Sequence, residues 1–106
     1  IDIFSQLHDL VGPVKLVVPI QVKTELQPLA AEKGKTGKAG KVALHALIQY
    51  GVKTVSADGS AGDEALRDLA GKGAIVVTND RALRQSLKNA PQRAIVVRQS
   101  KYLAWL

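Results

Sequence analysis

The sequence predicts an α/β layer fold around a mainly parallel sheet. Helical periodicities alternate along the chain with short β-branched runs, and glycine or proline punctuates the joins. Acids also recur where a strand should give way to a helix. The clearest case is Thr78-Asn79-Asp80, between the apolar run 74–77 and the basic amphipathic stretch 81–88. In an open parallel sheet the carboxyl ends of the strands share one edge, so acids from several joins can meet there.

The elements follow in order. Ile1, Phe4, Leu7 and Val11 recur at helical spacing until Gly12-Pro13 ends that helix. A strand over 15–18 comes next. Pro19 suits a first helical turn, and Val22, Leu26 and Leu29 give the helix a face that Pro28 should kink or end. Glu25 sits near the start of that helix. Residues 32–41, EKGKTGKAGK, carry almost no apolar content and predict a mobile basic loop. Val42, Ala43, Ala46, Leu47 and Tyr50 then form the stripe of a helix over 41–50, capped by Gly51. A short strand near 52–55 leads into the turn Ala57-Asp58-Gly59-Ser60-Ala61-Gly62. The next helix starts at Asp63 or Glu64, turns Ala65, Leu66, Leu69 and Ala70 inward, and closes at Gly71 or Gly73. A strand over 74–78, a helix over 80–88, a strand over 94–97 and an extended piece over 102–106 complete the order.

With 106 residues the chain is predicted to be one domain, and its 46% hydrophobic content excludes general disorder. No apolar run approaches the roughly 20 residues that span a bilayer, so the expectation is a soluble, cytoplasmic protein without a membrane partner. The absence of cysteine removes disulfides, a thiol nucleophile and thiolate zinc sites together. A net charge of +6 points to an anionic partner, for which RNA or DNA fits better than a membrane surface.

The cations are placed to suit that partner. Lys33, Lys35, Lys38 and Lys41 can contact phosphates from the basic loop, or simply solubilise it. Arg81, Arg84 and Lys88 share a helical face beside Asp80, where they can position a phosphate backbone or form a solvated surface. Phe4, Tyr50, Tyr102 and Trp105 are too few aromatics for a base-stacking platform. Gly34-Lys35-Thr36 echoes a nucleotide-binding loop, but Leu29 stands where that motif needs its first glycine. His8 and His45 lack metal-ligand spacing, and Ser60, Ser86 and Ser100 lack partners for a nucleophilic triad.

The acids carry the chemistry. Glu25 follows the first strand, Asp63 and Glu64 the second, and Asp80 the third. Carboxylates gathered at one edge repel each other unless a cation compensates, and hard oxygen donors suit Mg²⁺ or Mn²⁺. Such a metal polarises a phosphate and activates a water. Asp63, Glu64 and Asp80 also fit helix N-terminal acids favoured by the macrodipole, and Glu25 fits a solvated helix residue.

VVPIQVKTEL, GDEALRDLA and GAIVVTNDRALR resemble successive motifs of PIN-domain ribonucleases, and the likeness extends over the basic loop and the ending RQSKYL. It is strongest to small stand-alone archaeal PIN proteins related to ribosomal-RNA processing nucleases. The resemblance implies a single three-layer α/β/α domain over 1–106 and an acidic cluster that uses Mg²⁺ or Mn²⁺ to hydrolyse RNA phosphodiesters. Carried over by motif, Glu25 is the acid after the second family strand, Asp63 or Glu64 the third acidic position and Asp80 the fourth. Thr78 and Asn79 match a TND or TRD pattern and would hold Asp80 or a ligand water, or else form an ordinary turn. The family opens with a strand ending in Asp, as DTN or DAN. Nothing before Ile1 supplies it, and Asp2 falls at the start of the following helix. A central strand and first acid, within roughly 20 residues, are therefore expected upstream, and the chain without them is expected to be catalytically impaired.

The activity implied is metal-dependent endoribonucleolysis in rRNA processing, acting on single-stranded RNA or an rRNA precursor. A homodimer and ribosome-assembly proteins are the other implied partners. The alternatives are a non-catalytic RNA-binding PIN module in ribosome assembly and a toxin-type PIN nuclease controlled by an inhibitor protein.

Overall fold

A computed structural model describes residues 2–99 and 101–106, so Ile1 of the expected first stripe, and Ser100, lie outside the described residues. Helices and short strands alternate as the α/β reading requires. The order is α1 (Ile3–Val11), β1 (Val17–Pro19), α2 (Ile20–Ala30), α3 (Gly34–Gln49), β2 (Lys53–Val55), α4 (Gly62–Gly71), β3 (Val77–Thr78), α5 (Arg81–Ser86), β4 (Ile95–Arg98) and β5 (Tyr102–Trp105).

The chain divides into two compact units: Lys15–Ala65, and Ile1–Val14 together with Leu66–Leu106. In the Lys15–Ala65 unit, β1 and β2 pair in parallel with Pro19 opposite Val55, so both strands end at the same edge. Val18 and Pro19 are buried beneath that edge. Pro19 closes β1 and serves as N-cap of α2, where its fixed φ and missing donor cost nothing. Pro28 does not stop α2 at once, because the helix continues through Ala30.

Of the predicted mobile loop over 32–41, residues 34–41 are instead the first half of α3. Its glycines serve packing rather than flexibility. A Cβ on Gly37 would strike the Glu32 carbonyl oxygen, and one on Gly40 would lie 2.7 Å from the Ala30 nitrogen. Each helical glycine costs about 0.5–1 kcal/mol relative to alanine, and close packing of α3 against the end of α2 at Gly40 and against the link at Gly37 offsets that. The inward face is therefore Gly37, Gly40, Leu44 and Leu47, while Val42 is 69% exposed despite its place in the predicted stripe. Helix α3 closes with a Schellman motif. Val52 N–H donates to Leu47 O and Gly51 N–H to Ile48 O, with Gly51 at φ 64°.

In the second unit, β3 pairs in parallel with β4, and β4 pairs antiparallel with β5. The link from Arg98 to Tyr102 is too short for a crossover and folds back as a hairpin. Ala70, Val76, Leu83, Leu87 and Ala94 make its core, with Leu66, Ala90 and Leu106 packed against them. Helix α4 ends in the same closure as α3, with Ala74 N–H donating to Leu69 O and Gly73 N–H to Ala70 O. At the head of α1, Asp2 caps the helix by accepting from Ser5 N–H at 3.1 Å. Farther along α1, Gln6 reaches β5, accepting from Leu103 N–H at 2.7 Å and donating to Lys101 O at 3.1 Å.

Among the described residues the paired strands thus form two sheets, not the single sheet expected. The βα alternation and the parallel sense of β1 with β2 and of β3 with β4 agree with the sequence. With two to four residues per strand, each ladder is short and most of the order resides in the helices.

Candidate functional site

Within the Lys15–Ala65 unit Glu25 meets the join between β2 and α4, where Asp63 and Glu64 stand in sequence. Glu25 lies on α2, beyond the end of β1, and its Oε1 accepts from Gly62 N–H at 2.8 Å. It therefore supplies the N-terminus of α4 with a carboxylate partner, the placement that the helix macrodipole favours. Glycine leaves room for this approach: a Cβ at position 62 would lie 2.8 Å from Glu25 Oε2 and 3.1 Å from Val22 Cγ2, so the carboxylate would have to shift. Asp63 and Glu64 occupy the first turn of α4, and both are exposed. Asp63 Oδ1 accepts from Glu64 N–H at 3.0 Å, and Ser60 Oγ donates to Glu64 Oε1 at 3.0 Å.

Sequence reasoning missed Gln21. Its Nε2 donates to Ala57 O at 2.6 Å and to Gly59 O at 2.9 Å, tying the β2–α4 turn to α2. The available signal was its spacing: Gln21 stands one helical turn before Glu25 and so projects from the same face of α2.

Asp80 belongs to the other unit, where it is the N-cap of α5. Its Oδ1 accepts from Leu83 N–H at 2.9 Å, and its own N–H donates to Thr78 Oγ1 at 3.1 Å. Thr78 ends β3, and Asn79 is the exposed residue between the strand and the cap. Lys33 precedes α3 as its N-cap residue, while Lys35, Lys38 and Lys41 stand exposed along that helix. Arg81 opens α5 on the surface, and Arg84 is half-buried one turn later.

The donor set suits a hard divalent cation in chemistry: every candidate is a carboxylate. Glu25 and Glu64 each keep a second oxygen outside the hydrogen bonds described. Among the described residues, however, no three His, Cys, Asp or Glu side chains converge closely enough to hold a metal ion. No helix among them is long and apolar enough to cross a membrane.

A family model described as a PIN-like domain matches residues 1–100, and the chain belongs to that family. The match spans both units and supports a nuclease-type fold, for which RNA is the general partner and divalent metals the usual cofactor. No curated protein and no solved structure gives a significant match.

Proposed function

We propose that this chain is a metal-dependent endoribonuclease that hydrolyses RNA phosphodiester bonds during rRNA processing in the cytoplasm. The observation that carries the proposal is the family match, read together with the position of each acid beyond the carboxyl end of a parallel strand. On this reading residues 1–106 act as one PIN-like domain of the three-layer α/β/α type.

Glu25, Asp63 or Glu64, and Asp80 are the carboxylates that would hold Mg²⁺ or Mn²⁺, and the chemistry supplied there would be polarisation of the phosphate and activation of water. The protein's own contribution is orientation. Glu25 is fixed by Gly62 N–H, and Asp80 is fixed at both ends, by Leu83 N–H and by Thr78. Asn79 adds a polar side chain at that strand end. Lys33, Lys35, Lys38, Lys41, Arg81 and Arg84 hold single-stranded RNA or an rRNA precursor through its phosphates, which sets register without reading bases.

A second reading, a non-catalytic RNA-binding module in ribosome assembly, is favoured by one observation. Glu25 and Asp80 both already serve as hydrogen-bond acceptors at helix N-termini, a sufficient reason for either to be there. Incubating the full-length protein with labelled single-stranded RNA and Mn²⁺ separates the two. The nuclease reading expects internal cleavage that chelator abolishes. Tight binding with intact RNA would favour the module and sink the enzyme.

A further inference from the structure

We infer that Gln21 is a positioning residue for the proposed acidic centre, clamping the β2–α4 turn so that Asp63 and Glu64 are presented in one orientation; this rests on the nuclease reading above. Both donors of its amide are committed, to Ala57 O at 2.6 Å and Gly59 O at 2.9 Å. Its Oε1 is buried and without a hydrogen-bond partner among the described residues. Turning the amide over would set Oε1 against two carbonyl oxygens, so the orphaned acceptor is the consequence of holding the turn. A buried acceptor left unpaired carries a penalty, and a residue used only for packing would avoid it.

The clamp acts on the acids through a short chain of contacts. Gly59 takes φ 120° and lies so close over the first turn of α4 that a Cβ there would be 2.6 Å from Glu64 Cβ. The next residue, Ser60, donates to the Glu64 carboxylate. Two residues later, Gly62 N–H donates to Glu25, one helical turn from Gln21 on the same helix. Gln21 and Glu25 therefore grip the two ends of one turn. Gln21 holds its start through backbone oxygens, and Glu25 holds its end through a backbone N–H. Neither role of Gln21 requires it to touch a metal or a substrate.

The test uses the full-length protein with Gln21→Met, which keeps the volume and removes both donors and the orphan, and Gln21→Glu, which sets oxygen against oxygen. Thr24→Ala, at an exposed position of α2, is the control. Amide hydrogen exchange over residues 57–64 should quicken about tenfold in both Gln21 variants, as losing a net hydrogen bond implies, with α1 and β5 unchanged. Mn²⁺ affinity, read from paramagnetic broadening of the Asp63 and Glu64 amide signals, should fall about tenfold or more. Unchanged exchange would overturn the clamp. Faster exchange with unchanged Mn²⁺ affinity would reduce Gln21 to a structural residue and overturn the positioning role. Absence of Mn²⁺ broadening in the wild type would sink the metal centre itself and the positioning role with it, while the exchange data would still stand for the clamp.

Discussion

At the residue scale, the hydrogen-bonding role of Glu25 and Asp80 at helix N-termini is separable from the metal-binding role proposed for them, and substitutions can divide the two. Asp80→Asn keeps an oxygen able to accept from Leu83 N–H and loses the charge. Asp80→Ala loses both and should cost about 1 kcal/mol as a removed N-cap. Urea unfolding should therefore find the Asn variant within a few tenths of the wild type, while Mn²⁺-dependent cleavage by the same variant falls about 100-fold, as expected for a lost ligand. Equal activity of the two proteins would restrict Asp80 to capping. Gly62→Ala should destabilise by about 1 kcal/mol, because its methyl pushes the Glu25 carboxylate off the helix terminus at a first-turn position with little propensity to regain. A rise in the urea midpoint for this variant would show that Glu25 tolerates displacement. The placement of these acids beyond strand ends was legible in the sequence, since a carboxylate after a β-branched run is a pattern. Gln21 was not, because a polar residue near the start of a helix reads as solvated until the turn opposite it is known.

At the scale of elements, α3 shows how composition misleads. Glycine and lysine over 32–41 have the signature of a loop, yet Gly37 and Gly40 recur at helical spacing on the buried side and the lysines point outward. Backbone lies where a side chain would not fit: that of Leu29 and Ala30 at the end of α2 faces Gly40, and that of Glu32 in the link faces Gly37. Gly40→Ala, which local propensity would favour by about 1 kcal/mol, should instead destabilise by about 1–3 kcal/mol through overpacking against Ala30. A gain in thermal stability would mean that α2 and α3 part easily. The strands and the remaining helices were legible to within a few residues, because alternation, caps and Gly51 or Gly73 closures are local signals. Their grouping into two short sheets was not, since strand partnership is a long-range property that periodicity does not encode.

For the whole molecule, the family match runs through both compact units. The positive charge is likewise spread over both. Every arginine lies in the second unit, whereas the lysines of α3 lie in the first. RNA binding should therefore weaken steeply with salt. Replacing Lys35, Lys38 and Lys41 together by alanine should reduce the magnitude of the log–log slope by about 2, at about 0.7 per phosphate contact on a single strand. Fluorescence anisotropy across a KCl series measures this, and an unaltered slope would remove α3 from the RNA path. How the molecule meets other copies of itself is foreshadowed by Gln6. Its side-chain amide offers β5 one acceptor and one donor, as a neighbouring peptide group would, so the outer rim at Leu103 is already occupied. Stray strands from unfolded chains are denied a template there, and α1 acts as a built-in guard against edge-to-edge aggregation.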